Sequence, residues 1–156
     1  MPNIGKNVST RSSQAFIEDV AQLLMPWGVP PAAARLYGYL LLRATPASLD
    51  QITADLEISK SSASVAARLL EMYKLVRRHG ERGSKRSLYT VSDSYEGILS
   101  EQKRMLHTMG ELLKTGARIA ASGIAQQRLK VMAEFYQVMF DGMETAMENW
   151  RVRKSI

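Results

Sequence analysis

The chain has 156 residues, enough for one domain or two small ones with a real core, and no cysteine, which excludes a disulfide framework, a thiol nucleophile and thiolate metal sites. Its 21 Lys and Arg exceed its 15 Asp and Glu, giving a net charge of +6 and pointing to polyanionic partners. No run approaches the roughly 18 apolar residues of a membrane span, and the first dozen residues lack the apolar centre of a secretory signal, so a cytoplasmic protein with no membrane partner is expected.

Residues 1–12 are polar and are read as a flexible tail; a frayed end is favoured over a groove-seeking arm built on Lys6 and Arg11. Residues 13–28 contain a first helix, with Phe16, Val20, Leu23 and Leu24 at helical spacing and Pro26 with Gly28 ending it. The run "VPPAAARLYGYLLLRA" opens with prolines suited to a first turn. It is apolar on too many sides for a surface helix and is therefore expected to be central. Ser48 followed by Gln51 forms a capping box and starts a short helix through about Leu56. Ser59 then caps "SKSSASVAARLLEMYK", in which the hydropathy pattern turns Val65, Leu69, Leu70 and Tyr73 inward and Lys60, Ser61, Ser62, Ser64 and Arg68 outward.

"LVRRH" and "SLYTV" read as two strands, joined by "GERGSKR", whose glycines permit the positive φ of a hairpin loop. Between Ser59 and Thr90 there are eight basic residues and two acidic ones, while the rest of the chain carries 13 of each. The whole excess of positive charge therefore falls on one helix and one hairpin. Like charge crowded at a hairpin tip is unfavourable by self-repulsion and becomes favourable beside a groove lined by phosphates.

Asp93 with Glu96 is read as the cap of a long helix over residues 94–122, interrupted by Gly123. A last helix carries Leu129, Met132, Phe135, Tyr136, Met139, Met143, Met147 and Trp150, a stripe about six turns long and longer than a compact DNA-binding unit covers alone. A second subunit is expected to cover it, through Met132, Phe135, Met139, Met143, Met147 and Trp150, with Phe16 and Val20 contributing from the first helix. The fold class is mainly α with a small β-hairpin wing: a winged helix-turn-helix over residues 29–92, flanked by long terminal dimerisation helices, the last two spanning residues 93–156.

The stretch from "SLDQITADLEISKSSASVAARLLEMYK" to "LVRRHGERGSKRSLYTV" resembles the DNA-binding core of MarR-type winged-helix transcriptional regulators. Upstream, "WGVPPAAARLYGYLLLRATPASLDQI" resembles the branch containing the glycine betaine synthesis repressor GbsR, through its "R-x-Y-G-x-L-L-L" run. Together the two cover about residues 26–91. The resemblance implies a dimeric regulator, expected to be a repressor, with a recognition helix in the major groove of double-stranded DNA and a wing at the minor groove. One departure is "MYKLV", where relatives usually place Gly ahead of Leu-Val and this chain has Lys74.

On this reading Ser59, Lys60, Ser61, Ser62, Ser64 and Arg68 contact DNA from the recognition helix, and Arg78, Arg82, Ser84, Lys85 and Arg86 from the wing. Strand alternation sends Arg77 and Arg78 to opposite faces, so at most one of them faces DNA. Trp27, Tyr37 and Tyr39 carry two readings: structural packing, which is favoured, and an aromatic pocket for a small-molecule effector. His79 and His107 stand alone and neither metal nor cofactor is expected. No catalytic residue is found: "GERGSKRS" lacks the glycine spacing and following helix of a phosphate loop, and G-x-S-x-G and H-E-x-x-H are absent. The alternative function is a winged-helix interaction module that binds a protein partner or an acidic membrane surface without reading DNA sequence.

Overall fold

A computed structural model describes residues 4–155, with side chains from Thr10 onward. The elements in chain order are α1 (Ile4–Leu24), a 3-10 turn (Met25–Trp27), α2 (Pro31–Leu41), β1 (Ala47–Ser48), α3 (Leu49–Leu56), α4 (Lys60–Met72), β2 (Val76–Gly80), β3 (Ser87–Val91), α5 (Gly97–Ile119) and α6 (Gly123–Lys154).

 The chain divides into two compact units, Met1–Tyr95 and Glu96–Ile156. α1 extends from Ile4, well ahead of the start near Ser13 that the apolar spacing predicts. Residues 1–3 of the expected tail, and the Lys6 side chain, lie outside the described residues.

In the first unit, α2 is the central element. Ala33, Ala34, Leu36, Tyr39 and Leu40 are buried along it, and Pro31 starts it where a missing N–H costs nothing. α1 crosses α2 at Gly38, where an added Cβ would come within 3.1 Å of Ile17 Cα and 3.3 Å of Val20 Cβ. Only glycine lets the two backbones approach this closely. Arg35 donates from Nε to Glu18 Oε2 (2.9 Å) and from Nη2 to Glu18 Oε1 (3.1 Å), pinning the same crossing. This bidentate bond holds the Glu18 carboxyl below the usual carboxylate range.

The capping box that starts α3 forms as its spacing predicts. Ser48 Oγ accepts from Gln51 N (3.2 Å), and Gln51 Oε1 accepts from Ser48 N (2.9 Å). Ser59 caps α4 in the same way, accepting from Ser62 N (3.1 Å). β2 and β3 form the antiparallel hairpin, and β1 adds a short third strand in the order β1-β3-β2, with Ala47 opposite Tyr89. The arrangement is a winged helix-turn-helix.

Between α4 and β2, Lys74 takes a left-handed conformation, φ 59°. The turn needs positive φ to carry the chain from helix to strand, which explains why glycine suits this position and why lysine there is strained.

The second unit is an antiparallel hairpin of α5 and α6. Its turn is closed by Ser122, which accepts from Ala125 N (3.1 Å), and by Gln126 Nε2 donating to the Ala117 carbonyl (3.0 Å). Small residues line the seam, with Gly110, Ala117 and Ala133 buried, and Lys103–Glu144 (3.3 Å) and Arg151–Glu96 (2.9 Å) bridge it further along. The Asp93–Glu96 cap expected for α5 does not form. Glu96 is the N-cap residue but makes no side-chain cap bond, because its carboxylate takes Arg151 instead.

The single apolar stripe expected on the last helix resolves into two faces. Met147 is 6% exposed and shares a helix face with Glu144 and Arg151, so it fills the seam. Met132, Phe135, Val138 and Met139 lie on the outer side and are exposed, as are Met105, Met109 and Leu112 on α5.

Candidate nucleic-acid interface

The orientation of α4 decides which of its side chains can meet a partner. Ala63, Ala66, Ala67 and Leu70 are buried against the rest of the unit, where Ala33 and Ala34 of α2 allow close helix packing. The helix is therefore turned alanine-side inward, and Val65, which the hydropathy pattern sends to the core, is 64% exposed. Ser61, Val65, Arg68 and Met72 recur at i, i+4, i+7 and i+11 and form one straight exposed strip. Lys60 and Ser64 lie on its flank, with Ser64 half-buried.

At the front of α4 the serines bind one another as well as the backbone. Ser59 Oγ donates to Ser62 Oγ (2.8 Å) and shares a hydrogen bond with Ser61 Oγ (3.1 Å). This links cap and first turn into one network whose outer lone pairs face solvent.

The wing loop is ordered by its own bonds. Gly83 supplies φ 79°, Glu81 N donates to the Arg86 carbonyl (3.1 Å), and Ser84 N donates to the Glu81 carbonyl (3.1 Å). Ser84 Oγ accepts from Arg86 N (3.0 Å), so this hydroxyl is committed to the turn and keeps its own proton to donate outward.

Acidic neighbours hold about half of the basic residues. Lys60 pairs with Asp50 (3.4 Å), Arg77 with Asp93 (3.3 Å) and Arg78 with Glu71 (3.6 Å). Arg86 makes a bidentate pair with Glu81, from Nε at 2.9 Å and Nη2 at 2.8 Å, which raises the guanidinium pKa above its ordinary value. Arg68, Lys74, Arg82 and Lys85 have no ion-pair partner among the described residues. Arg78 lies opposite Tyr89 and Arg77 opposite Thr90, which puts the two arginines on opposite faces of the hairpin.

Helix and wing meet at a notch of about 210 Å³ lined by Leu49, Asp50, Lys60, Lys85, Arg86 and Ser87. The fold thus brings together Lys60 from α4 with Lys85 and Arg86 from the β2–β3 loop. On the other flank of α4, a shallow apolar groove of about 280 Å³ runs between Val65 and the start of α2 at Pro30 and Ala32.

A solved structure described as a transcriptional regulator matches the chain with a TM-score of 0.75 at 20% identity, covering 90% of this chain and 98% of that one. The chain shares that fold. A MarR transcriptional regulator from Methanosarcina mazei Go1 aligns over 92% of this chain and 97% of its own at 16% identity, with a TM-score of 0.43. A transcriptional regulator from Thermotoga maritima aligns over 91% and 99% at 12% identity, also with a TM-score of 0.43. No family model and no curated protein matches the sequence.

Of the three aromatics considered for an effector pocket, the two on α2 point apart. Tyr37 and Tyr39, two residues apart on α2, project about 200° from each other. Tyr39 is buried, donates to Asp55 Oδ2 (2.5 Å) and accepts from Arg43 Nη1 (2.9 Å). Burial first, and the Asp55 bond second, push its phenol up to about 12. Tyr37 is half-buried and its phenol is also raised, chiefly by burial, while Trp27 is 66% exposed.

Among the residues expected at a subunit contact, Phe16 is 39% exposed, whereas Val20 packs at the Gly38 crossing inside the first unit. Met132, Phe135, Met139 and Trp150 are exposed, Met143 is half-buried and Met147 is buried in the hairpin seam. No helix among the described residues is long and apolar enough to cross a membrane, and none of their His, Asp and Glu groups gathers into a metal-holding cluster.

Proposed function

We propose that the chain is a sequence-specific DNA-binding transcriptional regulator, acting as a homodimeric repressor on a pseudo-palindromic operator. The observation that carries this reading is the notch where Lys60, Lys85 and Arg86 converge beside an exposed recognition-helix strip. Cations from two separate elements, set around one concavity, suit a phosphate backbone that passes between a helix in the major groove and a wing at the minor groove. The fold shared with a transcriptional regulator supports the same reading. The "R-x-Y-G" run supports placement in the GbsR-like branch of MarR-type regulators, since Arg35 and Gly38 together build the α1–α2 crossing.

A second copy of the chain covers the outer faces of α5 and α6. The hairpin fills its own seam with glycine, alanine and Met147, leaving Phe135 at 59%, Val138 at 66% and Leu112 at 61% exposure. A bulky apolar face on each of two neighbouring helices matches an isologous interface. Two recognition helices related by the two-fold axis then read half-sites about 34 Å apart.

The test is binding, at about 150 mM salt, to the DNA upstream of the chain's own gene and to random duplex of equal length. A regulator binds the former at least about a thousandfold more tightly. Equal affinity for both overturns the reading and favours an interaction module that binds an acidic partner without reading sequence.

A further inference from the structure

We infer that Val65 reads the 5-methyl group of a thymine in the major groove, and that Arg68 reads a guanine within one or two base pairs of it. This rests on the reading of α4 as a recognition helix and adds which bases that helix selects. Three observations carry it.

First, Val65 is 64% exposed at the centre of the straight strip formed by Ser61, Val65, Arg68 and Met72. Its exposure is not forced by its neighbours, because the buried face of α4 is already filled by Ala63, Ala66, Ala67 and Leu70. A β-branched apolar side chain is a poor choice for a solvated helix surface, where alanine, lysine or glutamate stabilises the helix better. Second, the isopropyl group has no donor or acceptor, and the one apolar feature a base pair displays in the major groove is the thymine methyl.

Third, the strip carries cations suited to an anionic partner on one side, while the apolar groove that Ser61 and Val65 also border runs toward Pro30 and Ala32 on the other. Arg68 lies one turn away without an ion-pair partner among the described residues, and Lys60 flanks the strip with the wing cations Lys85 and Arg86 around the adjoining notch. The rise from Val65 to Arg68 is about 4.5 Å, against about 3.4 Å per base pair, so their targets are close neighbours. Arg68, free of a carboxylate, presents the fork that pairs with guanine O6 and N7.

The test starts with selection of bound duplexes from a random library by the full-length chain. Each thymine of the selected half-site is then replaced singly by deoxyuridine, which removes only the methyl group. Wild-type protein should lose about fourfold in affinity per half-site at one thymine, the value of one buried methyl. Val65→Ala, a change that favours the helix, should bind the thymine and deoxyuridine duplexes equally at that position. Arg68→Ala should keep the deoxyuridine effect and relax selection at a guanine one or two pairs away. If a consensus emerges but no deoxyuridine substitution matters, or Val65→Ala keeps the full effect, the inference falls and the regulator reading stands. If no consensus emerges, both fall.

Discussion

Arg82 and Lys85 are exposed on the wing loop and have no ion-pair partner among the described residues, so their charges are available to phosphates without any pair being broken first. Each phosphate neutralised contributes about −0.9 to the slope of log affinity against log salt. Counterion release on that scale is worth about fivefold in affinity per contact near 150 mM salt. Replacing both residues by alanine removes two contacts per subunit and four per dimer. The slope should become shallower by about 3.6, and affinity at about 150 mM should fall by about a thousandfold. Glu81→Gln acts in the opposite direction. It frees Arg86 from the bidentate carboxylate that an operator phosphate must otherwise displace, so the slope on operator should stay nearly unchanged while affinity rises by up to about thirtyfold, up to about fivefold for each of two exposed pairs. Fluorescence anisotropy of a labelled operator duplex between about 50 and 300 mM KCl measures both quantities, and circular dichroism checks that the variants fold. An unchanged slope for the Arg82→Ala, Lys85→Ala protein would refute the placement of the wing against phosphate, whatever happens to affinity.

Lys74→Gly should stabilise the first unit by about 0.5–1 kcal/mol, because relief of the left-handed strain at φ 59°, about 1–2 kcal/mol, exceeds the entropy glycine adds to the unfolded chain; urea unfolding measures it. The Tyr39 phenol, raised to about 12 from an ordinary 10, stabilises the fold fully below pH 10 and loses that contribution as pH climbs through 12. The loss is about 2.7 kcal/mol at most, and Tyr39→Phe, which also gives up the Asp55 and Arg43 bonds, should abolish this part of the alkaline destabilisation seen in unfolding curves at pH 8 and pH 11. Phe135→Glu should leave the α5–α6 hairpin folded, since the ring is 59% exposed within the chain, and should weaken the homodimer about a thousandfold in sedimentation equilibrium, at about 2 kcal/mol for each of two copies. A dimer of undiminished affinity would move the interface to another surface.

Signals confined to a few neighbouring residues were legible in the sequence. The Ser48–Gln51 box, the Ser59 cap and the glycine-bearing wing turn each depend on bonds between residues at most a few positions apart, and each forms. Partners distant in sequence were not legible. Glu96 does not cap α5, because Arg151, at the far end of α6, takes its carboxylate. Val65 points outward because α4 meets α2 through alanines, and a hydropathy scale that ranks valine above alanine cannot register how close two small-residue faces come. The stripe on α6 mixed two faces for a related reason: seven-residue spacing serves a seam within the hairpin as well as a contact outside it, and only the position of α5 separates Met147 from Phe135. β1, two residues long, is too short for any alternation to show. As for the interface, the concentration of charge between Ser59 and Thr90 was visible in the sequence, whereas the notch joining Lys60 to Lys85 and Arg86 required the wing to fold back beside α3 and α4.

The pairing of half the basic residues with acids bears on how a regulator avoids being held by the wrong DNA. Lys60, Arg77, Arg78 and Arg86 each have a carboxylate within 4 Å, and every one of these pairs is solvent-accessible, so each is weak enough for a well-placed phosphate to displace. A duplex bound out of register meets only the unpaired Arg68, Lys74, Arg82 and Lys85, whereas a duplex seated in the notch also draws on Lys60 and Arg86. Nonspecific binding by a dimer should therefore show a salt slope near −7, from four contacts per subunit, and operator binding a slope near −9, from five, because Arg68 is then on a base rather than a phosphate. Equal slopes on random and operator duplexes would mean that the paired cations stay with their carboxylates, and that discrimination comes from the bases alone. A difference of about two places part of the specificity in the acids: Asp50 and Glu81 then act as competitors that only a correctly seated backbone displaces, and Asp50→Asn with Glu81→Gln should raise affinity for random DNA more than affinity for the operator.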